Sequence, residues 1–294
     1  MTSQLDLLTR INLDDLVDSF GWQNHPLPAR LLQRVFYKTA RDFARLMVGF
    51  DTAVGAHGLA EGARWTLRPY ARSLRVYGRD LLPAGPFLAL SNHPGMTDTL
   101  TLFAALDRKD LKIIALDRPF LNALTNTSKQ LFYVKDDAAS RMGLVRQVSG
   151  HLRAGGAALT FPGGHIEPDP DVHDGAVESL KDWTDSAAVF VRMAPETPVI
   201  PVLVRGVVRR NSARHPLLVV KRTKEEKGKL AAALQLLAHV TFHRNDVDIR
   251  VQIGKPITAR DLGTTEAQVI HQAVLAEMTR LIQNPPEGEG VNAL

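Results

Sequence analysis

The stretch FLALSNHPGMTDTLTLF, residues 87–103, joins one apolar run to a second of different period through a Pro-Gly turn. Phe87 to Ser91 reads as a buried strand. Asp98 to Leu106 reads as a helix whose opening carboxylate favours the first backbone amides and the positive end of the dipole. His93 and Asp98 stand five residues apart across the turn. If the turn folds back, the carboxylate accepts from one imidazole nitrogen and fixes the tautomer, leaving the other to take a proton from an incoming hydroxyl. The plainer reading of the same spacing is a capping aspartate beside a turn histidine.

Outward from this junction, short apolar runs alternate with helical segments. Strands are expected at Leu74 to Tyr77, Phe87 to Ser91, Leu111 to Leu116, Leu131 to Lys135, Ala157 to Phe161, Val199 to Val204, Leu217 to Lys221 and Val247 to Ile253. Helices are expected at Asp98 to Leu106, Ala138 to Arg153, Val177 to Met193, Lys229 to Phe242 and Thr265 to Ile282, the last stopped by Asn284-Pro285-Pro286. This alternation predicts an α/β fold, a mixed, largely parallel sheet flanked by helices, with a helical region ahead of it. In such sheets ligands gather at the carboxyl ends of strands. SNHPGMTD, YVKDD and FPGGHIEPDPDVHDG all fall there.

The 294 residues are 45% hydrophobic and 23% charged, enough for one large core. There is no cysteine, which excludes disulfides, thiolate metal sites and a cysteine nucleophile. Base catalysis by His93 without a serine or cysteine partner implies direct attack by a substrate's own hydroxyl or amine. No run of about 18 apolar residues is present, and MTSQLDLLTR lacks a basic head followed by an apolar core, so the expected location is cytoplasmic. A net charge of +5 favours anionic partners. Aromatics are only 6% and do not interleave with the basic residues, so no nucleic acid is expected.

Residues 26–50 read as a helix with Leu31, Leu32, Val35, Phe36, Phe43, Leu46, Met47 and Phe50 on one face. Arg34, Lys38, Arg41 and Arg45 form a basic stripe beside it, the arrangement of a helix lying on an anionic bilayer. The alternative is a packing helix with a solvated charged face.

Asn92-His93 with Asp98 resembles the NH-x4-D motif of the glycerolipid acyltransferases, the family of bacterial 1-acylglycerol-3-phosphate acyltransferases. Lys112-Ile113-Ile114-Ala115, Pro119-Phe120 and Leu131-Phe132-Tyr133-Val134-Lys135 resemble its second block, Phe161-Pro162-Gly163-Gly164 its third, F-P-E-G, and Thr197-Pro198-Val199-Ile200-Pro201-Val202 its fourth. The similarity runs over about residues 86–205 and keeps the family's order. It implies transfer of a fatty acyl group from an acyl-coenzyme A or acyl-carrier-protein thioester to a hydroxyl or amine of a lysophospholipid, glycerol phosphate or related lipid. His93 would be the base and Asp98 its orienter, with no cofactor beyond the thioester co-substrate. Asn92 and Gly95 would shape the loop, and amides near Gly163 and Gly164 would face the oxyanion. Lys135 would contact phosphate where the family usually has arginine, with Arg205 a second such contact. Phe161, Pro162, His165 and Glu167 complete the implied substrate site.

The third block departs from the pattern, because Gly163 stands where the family has glutamate and His165-Ile166-Glu167 replaces the usual threonine-arginine-serine. Glu167 is a candidate to return the missing carboxylate. Two other readings follow. His165, Glu167, Asp169, Asp171, His173 and Asp174 alternate oxygen and nitrogen donors and, with His93 and Asp98, sketch a metal-dependent hydrolase. Pro168 and Pro170 leave no recognised ligand spacing, so the expectation is a solvated acidic loop and no metal site. The altered third block also fits a catalytically inactive membrane adaptor on the same scaffold. The expected organisation is a helical, membrane-interacting region over 1–69, an α/β acyltransferase-like domain over 70–284 and a flexible tail over 285–294, peripheral on the inner face of the membrane.

Overall fold

The central strands alternate their side chains between two cores, and this alternation builds the architecture. In the computed structural model, which describes residues 3–95, 97–135, 137–209 and 247–294, eight strands form one sheet. They are β1 (Ala71–Tyr77), β2 (Phe87–Ser91), β3 (Lys112–Leu116), β4 (Leu131–Val134), β5 (Ala157–Thr160), β6 (Val199–Arg205), β7 (Val247–Ile253) and β8 (Val291–Asn292), in spatial order β4-β3-β5-β2-β6-β7-β1-β8. β4, β3, β5, β2 and β6 run parallel, as do β1 and β7; β6 with β7 and β1 with β8 are antiparallel. The sheet is mixed and largely parallel, as expected. The expected strand at 217–221 and helix at 229–242 lie outside the described residues.

Every residue of β2 is buried, because neighbours flank both edges and helices cover both faces. Phe87 and Ala89 join one core with α2 (Pro26–His57), α3 (Leu59–Leu67) and α4 (Asp98–Leu106). Leu88 and Leu90 join the other with α6 (Ala138–Arg153), α7 (Ser186–Met193) and the last helix, α9 (Ala267–Gln283). The short helices α5 (Pro119–Asn122) and α8 (Ala259–Leu262) lie in connections.

The N-terminal region is helical, and α2 runs seven residues past Phe50 to His57. It also contains α1 (Gln4–Phe20), capped by Ser3, whose hydroxyl accepts from the Asp6 amide. Leu8, Thr9, Leu13 and Val17 are its buried residues, and it packs along α2. At the junction, Asp51 of α2 is buried and accepts from the Gln4 side chain, the Asn126 and Thr127 amides and the Thr125 and Thr127 hydroxyls.

Two expectations need correction. The helix expected over 177–193 is broken: a 3-10 turn at Glu178–Asp182 ends on Trp183 in extended conformation, and α7 begins at Ser186. The break lets the Trp183 indole point inward and the Thr184 amide reach the Pro162 carbonyl. The tail expected to be flexible is docked, since β8 pairs with β1, the Ala293 amide donates to Leu74, and Arg64 donates to the Ala293 carbonyl. No described helix is long and apolar enough to cross a membrane.

Candidate active site

Because β4, β3, β5, β2 and β6 are parallel, their carboxyl ends open on one edge of the sheet. The loops after β2, β3 and β5 meet there around a cavity of about 490 Å³. Its wall is mainly apolar: Phe43, Met47 and Phe50 from α2, Phe103 from α4, Ile113 from β3 and Leu124 are among its residues. His93, Thr97, Thr99, Phe161 and Gly164 are also on the wall.

His93 Nδ1 lies 2.7 Å from an Asp98 carboxylate oxygen that also accepts from the Gly95 amide at 3.0 Å. Asp98 is fully buried at the start of α4, where the helix dipole favours its charge. An ionised carboxylate makes Nδ1 the donor, leaving Nε2 as the basic nitrogen of a ring that lines the cavity. Burial pulls the imidazole pKa down, but the Asp98 charge and hydrogen bond, with Glu167 behind them, outweigh it and raise it above its ordinary value. Phe161 covers the ring, with centroids 4.7 Å apart.

Asn92 acts as an extra rung of the sheet. Its side-chain oxygen accepts from the Val204 amide at 2.8 Å and its amide nitrogen donates to the Val204 carbonyl at 2.9 Å, tying the loop after β2 to β6. Gly95 supplies its amide rather than space, because a Cβ there would meet only ordinary contacts at 3.5 Å. Gly164 takes a left-handed φ of 67° and donates to the Phe161 carbonyl at 3.1 Å. Its amide closes a turn in this structure.

Several expected substrate contacts fall elsewhere. Lys135 is exposed just past β4 and does not line the cavity, nor do Pro162 and His165. His165 instead sits 3.9 Å from Asp182. Arg205 follows the pleat of β6: Ile200, Val202 and Val204 face the cavity-side core, whereas Val199, Leu203 and Arg205 turn to α9. Its buried guanidinium donates to the Leu281 and Ile282 carbonyls and pairs with Asp171 at 3.4 Å, so it serves the scaffold. The sole lysine or arginine on the cavity wall, among the described residues, is Arg118, which caps α5 just after β3. Sequence reading missed it, although a basic residue two positions past a parallel strand was a usable signal. Tyr70 also lines the cavity, its phenol pushed up by burial to about 12, so it remains a neutral group there.

The acidic segment is not a solvated loop, and its donors do not converge. Glu167 is 3% exposed and off the cavity wall, and accepts from the His93 amide and the Trp183 indole. Asp169 is buried and accepts from the Gly206 and Val208 amides, while Asp171 pairs with Arg205 and Arg250. Among the described residues no three His, Asp or Glu side chains are arranged to hold a metal ion. The hydrolase reading thus has no assembled ligand set in this segment.

On α2, Arg41 pairs with Asp6, and Lys38 and Arg45 share Asp42, so the basic stripe is partly neutralised. Beside it Leu27, Leu31 and Val35 are 78%, 66% and 64% exposed, an apolar row at four-residue steps.

Curated proteins give no match to this chain. A crystal structure of the 1-acyl-sn-glycerophosphate (LPA) acyltransferase PlsC from Thermotoga maritima is similar at 12% identity and a TM-score of 0.42, over 84% of this chain and 97% of that one. The family model described as Acyltransferase matches residues 73–205, a span that runs from within β1 to the end of β6 and contains His93, Asp98 and the loop after β5. Residues 73–205 are a domain of the acyltransferase family, and the chain that carries it is an acyltransferase.

Proposed function

We propose that this enzyme transfers a fatty acyl group from a coenzyme A or acyl-carrier-protein thioester to a hydroxyl, or an amine, of a lipid acceptor at an anionic membrane surface. The observation that carries the reading is the carboxylate-oriented imidazole of His93 on the wall of a deep apolar cavity. His93 Nε2 takes the acceptor's proton as its oxygen attacks the thioester carbonyl carbon. The tetrahedral oxyanion collapses, the carbon–sulfur bond breaks, and the imidazolium returns the proton to the departing thiolate. Asp98 stabilises the imidazolium between the two proton transfers. The apolar wall takes the acyl chain, and Arg118, an exposed residue of the cavity wall, meets an anionic group of the substrate.

Membrane association is part of the reading. Leu27, Leu31 and Val35 would enter the acyl boundary while Arg30 and Arg34 meet head groups. Phe43 and Leu46 on the same helix line the cavity, so the contact lies along the route to the site. Val35 is eight residues from Phe43, about 12 Å along the axis.

The test is product formation by purified protein from acyl-coenzyme A and from acyl-carrier protein against a panel of lysolipids, with His93→Ala as control. Transfer that survives in a folded His93→Ala protein overturns the mechanism.

A further inference from the structure

Glu167 grips the main chain of His93 at both ends. One carboxylate oxygen accepts from the His93 amide at 2.9 Å, and the Glu167 amide donates to the His93 carbonyl at 2.9 Å. The other oxygen accepts from Trp183 Nε1 at 2.7 Å. The carboxyl group rests against Gly163, where an added Cβ would stand 3.1 Å from the carboxyl carbon and 3.2 and 3.5 Å from its oxygens. The missing side chain at 163 is therefore the socket in which the Glu167 carboxylate sits. φ at Gly163 is not left-handed, so the backbone does not require glycine there; the space does.

We infer that Glu167 is a positioning residue for acyl transfer, holding the His93 peptide so that its ring meets Asp98 on one side and substrate on the other. The carboxylate stands where a side chain from residue 163 would otherwise lie. The inference rests on the reading of His93 as the base. Asp98 holds the ring and the Gly95 amide two residues on, and Asn92 ties the residue before His93. Of these side chains only that of Glu167 is bonded to the His93 peptide itself, and a displacement of about 1 Å in a reacting group costs on the order of 100-fold in rate.

The charges around this group are few. His93 and His165 face Glu167 as titratable groups, Trp183 faces it as a neutral donor, Asp182 lies beyond His165, and Asp98 lies beyond His93. Burial pushes the Glu167 carboxyl up to about 6, although the Trp183 and His93 hydrogen bonds pull the other way. Its charge also helps to raise the His93 pKa.

The decisive variants are Glu167→Gln, Glu167→Gly, Gly163→Glu and the exchanged pair Gly163→Glu/Glu167→Gly. Glu167→Gln should lower kcat by about 10-fold to 100-fold with little change in KM. It should also move the His93 ring titration, followed by NMR in the unliganded protein, to lower pH. Gly163→Glu alone crowds two carboxyls into one socket and should lose activity, and the exchanged pair should recover most of what Glu167→Gly loses. The ring titration needs no turnover, so an unmoved titration overturns the inference whatever the substrate proves to be, whereas a wild type without acyl transfer overturns the function instead. A Glu167→Gln protein with wild-type kcat, or an exchanged pair no better than Glu167→Gly, also overturns it.

Discussion

One oxygen of Asp98 accepts from both the His93 ring and the Gly95 amide, so the carboxylate fixes the imidazole and the turn that carries it together. Asparagine keeps the shape but can turn its NH2 toward these donors. Asp98→Asn is therefore expected to cost about 100-fold to 10,000-fold in kcat with the fold retained. The wild-type acid limb of kcat/KM should lie above the ordinary histidine value of about 6.5, activity falling as the pH drops through it, because Asp98 and Glu167 raise the pKa. In Asp98→Asn the upward pull weakens and the limb should move to lower pH. A pH–rate profile that keeps its limb removes Asp98 from the mechanism.

The cavity is read as the seat of the acyl chain, and Leu124 is a buried part of its wall. Leu124→Trp should shift kcat/KM toward shorter acyl donors, measured across a series of saturated chain lengths. An unchanged profile in a folded variant would place the chain elsewhere.

Three basic residues have been set different tasks by their surroundings. Arg118→Ala should raise KM for lysolipids with an anionic head group and spare neutral ones, while Lys135→Ala should leave both unchanged. Arg205→Ala should appear in stability instead, at about 1–3 kcal/mol by denaturant unfolding, because it leaves the Leu281 and Ile282 carbonyls without their buried donor, while Asp171 keeps Arg250. Equal KM effects at 118 and 135 would refute this division.

Asp51 latches α1 and the segment after α5 onto α2. Burial pushes its carboxyl up, but the hydrogen bonds from Thr127, Asn126 and Gln4 outweigh this and hold it below the ordinary carboxylate value. Its stabilisation is complete above about pH 4 and lost as the pH falls through the lower folded value. Asp51→Asn should cost about 1–3 kcal/mol at neutral pH, with the difference from wild type shrinking in acid. A difference that does not change with pH would contradict the assignment.

The exposed row on α2 should matter more for vesicle binding than the basic stripe beside it, since Asp42 and Asp6 already offset Lys38, Arg41 and Arg45. Replacing Leu27, Leu31 and Val35 together by Asp should weaken co-sedimentation with phosphatidylglycerol-rich vesicles by at least about tenfold. Neutralising Arg34, Lys38, Arg41 and Arg45 should do less. The reverse order would make the contact electrostatic.

The junction at residues 87–106 was legible in the sequence because β2 and α4 both have dense apolar patterns and are separated by Pro94 and Gly95. The His93–Asp98 pairing follows from the same local stretch. α1 was not legible as a separate helix, because charged residues interrupt its apolar face and its partners on α2 are distant in sequence. Glu167 reads as one of several acids between prolines, and only the fold carries it under His93. Lys135 and Arg118 both follow parallel strands, and the local loop path, which spacing does not encode, decides which lines the cavity.

The pleat of β6 has a protective side. Val204 shares its backbone with the Asn92 rung, and the next residue sends a guanidinium through the opposite face of the sheet. A slip of one residue would exchange those directions, bringing a permanent cation toward a ring that must be neutral to accept a proton. Strand register thus insulates the imidazole from the positive charge held only a sheet's thickness away.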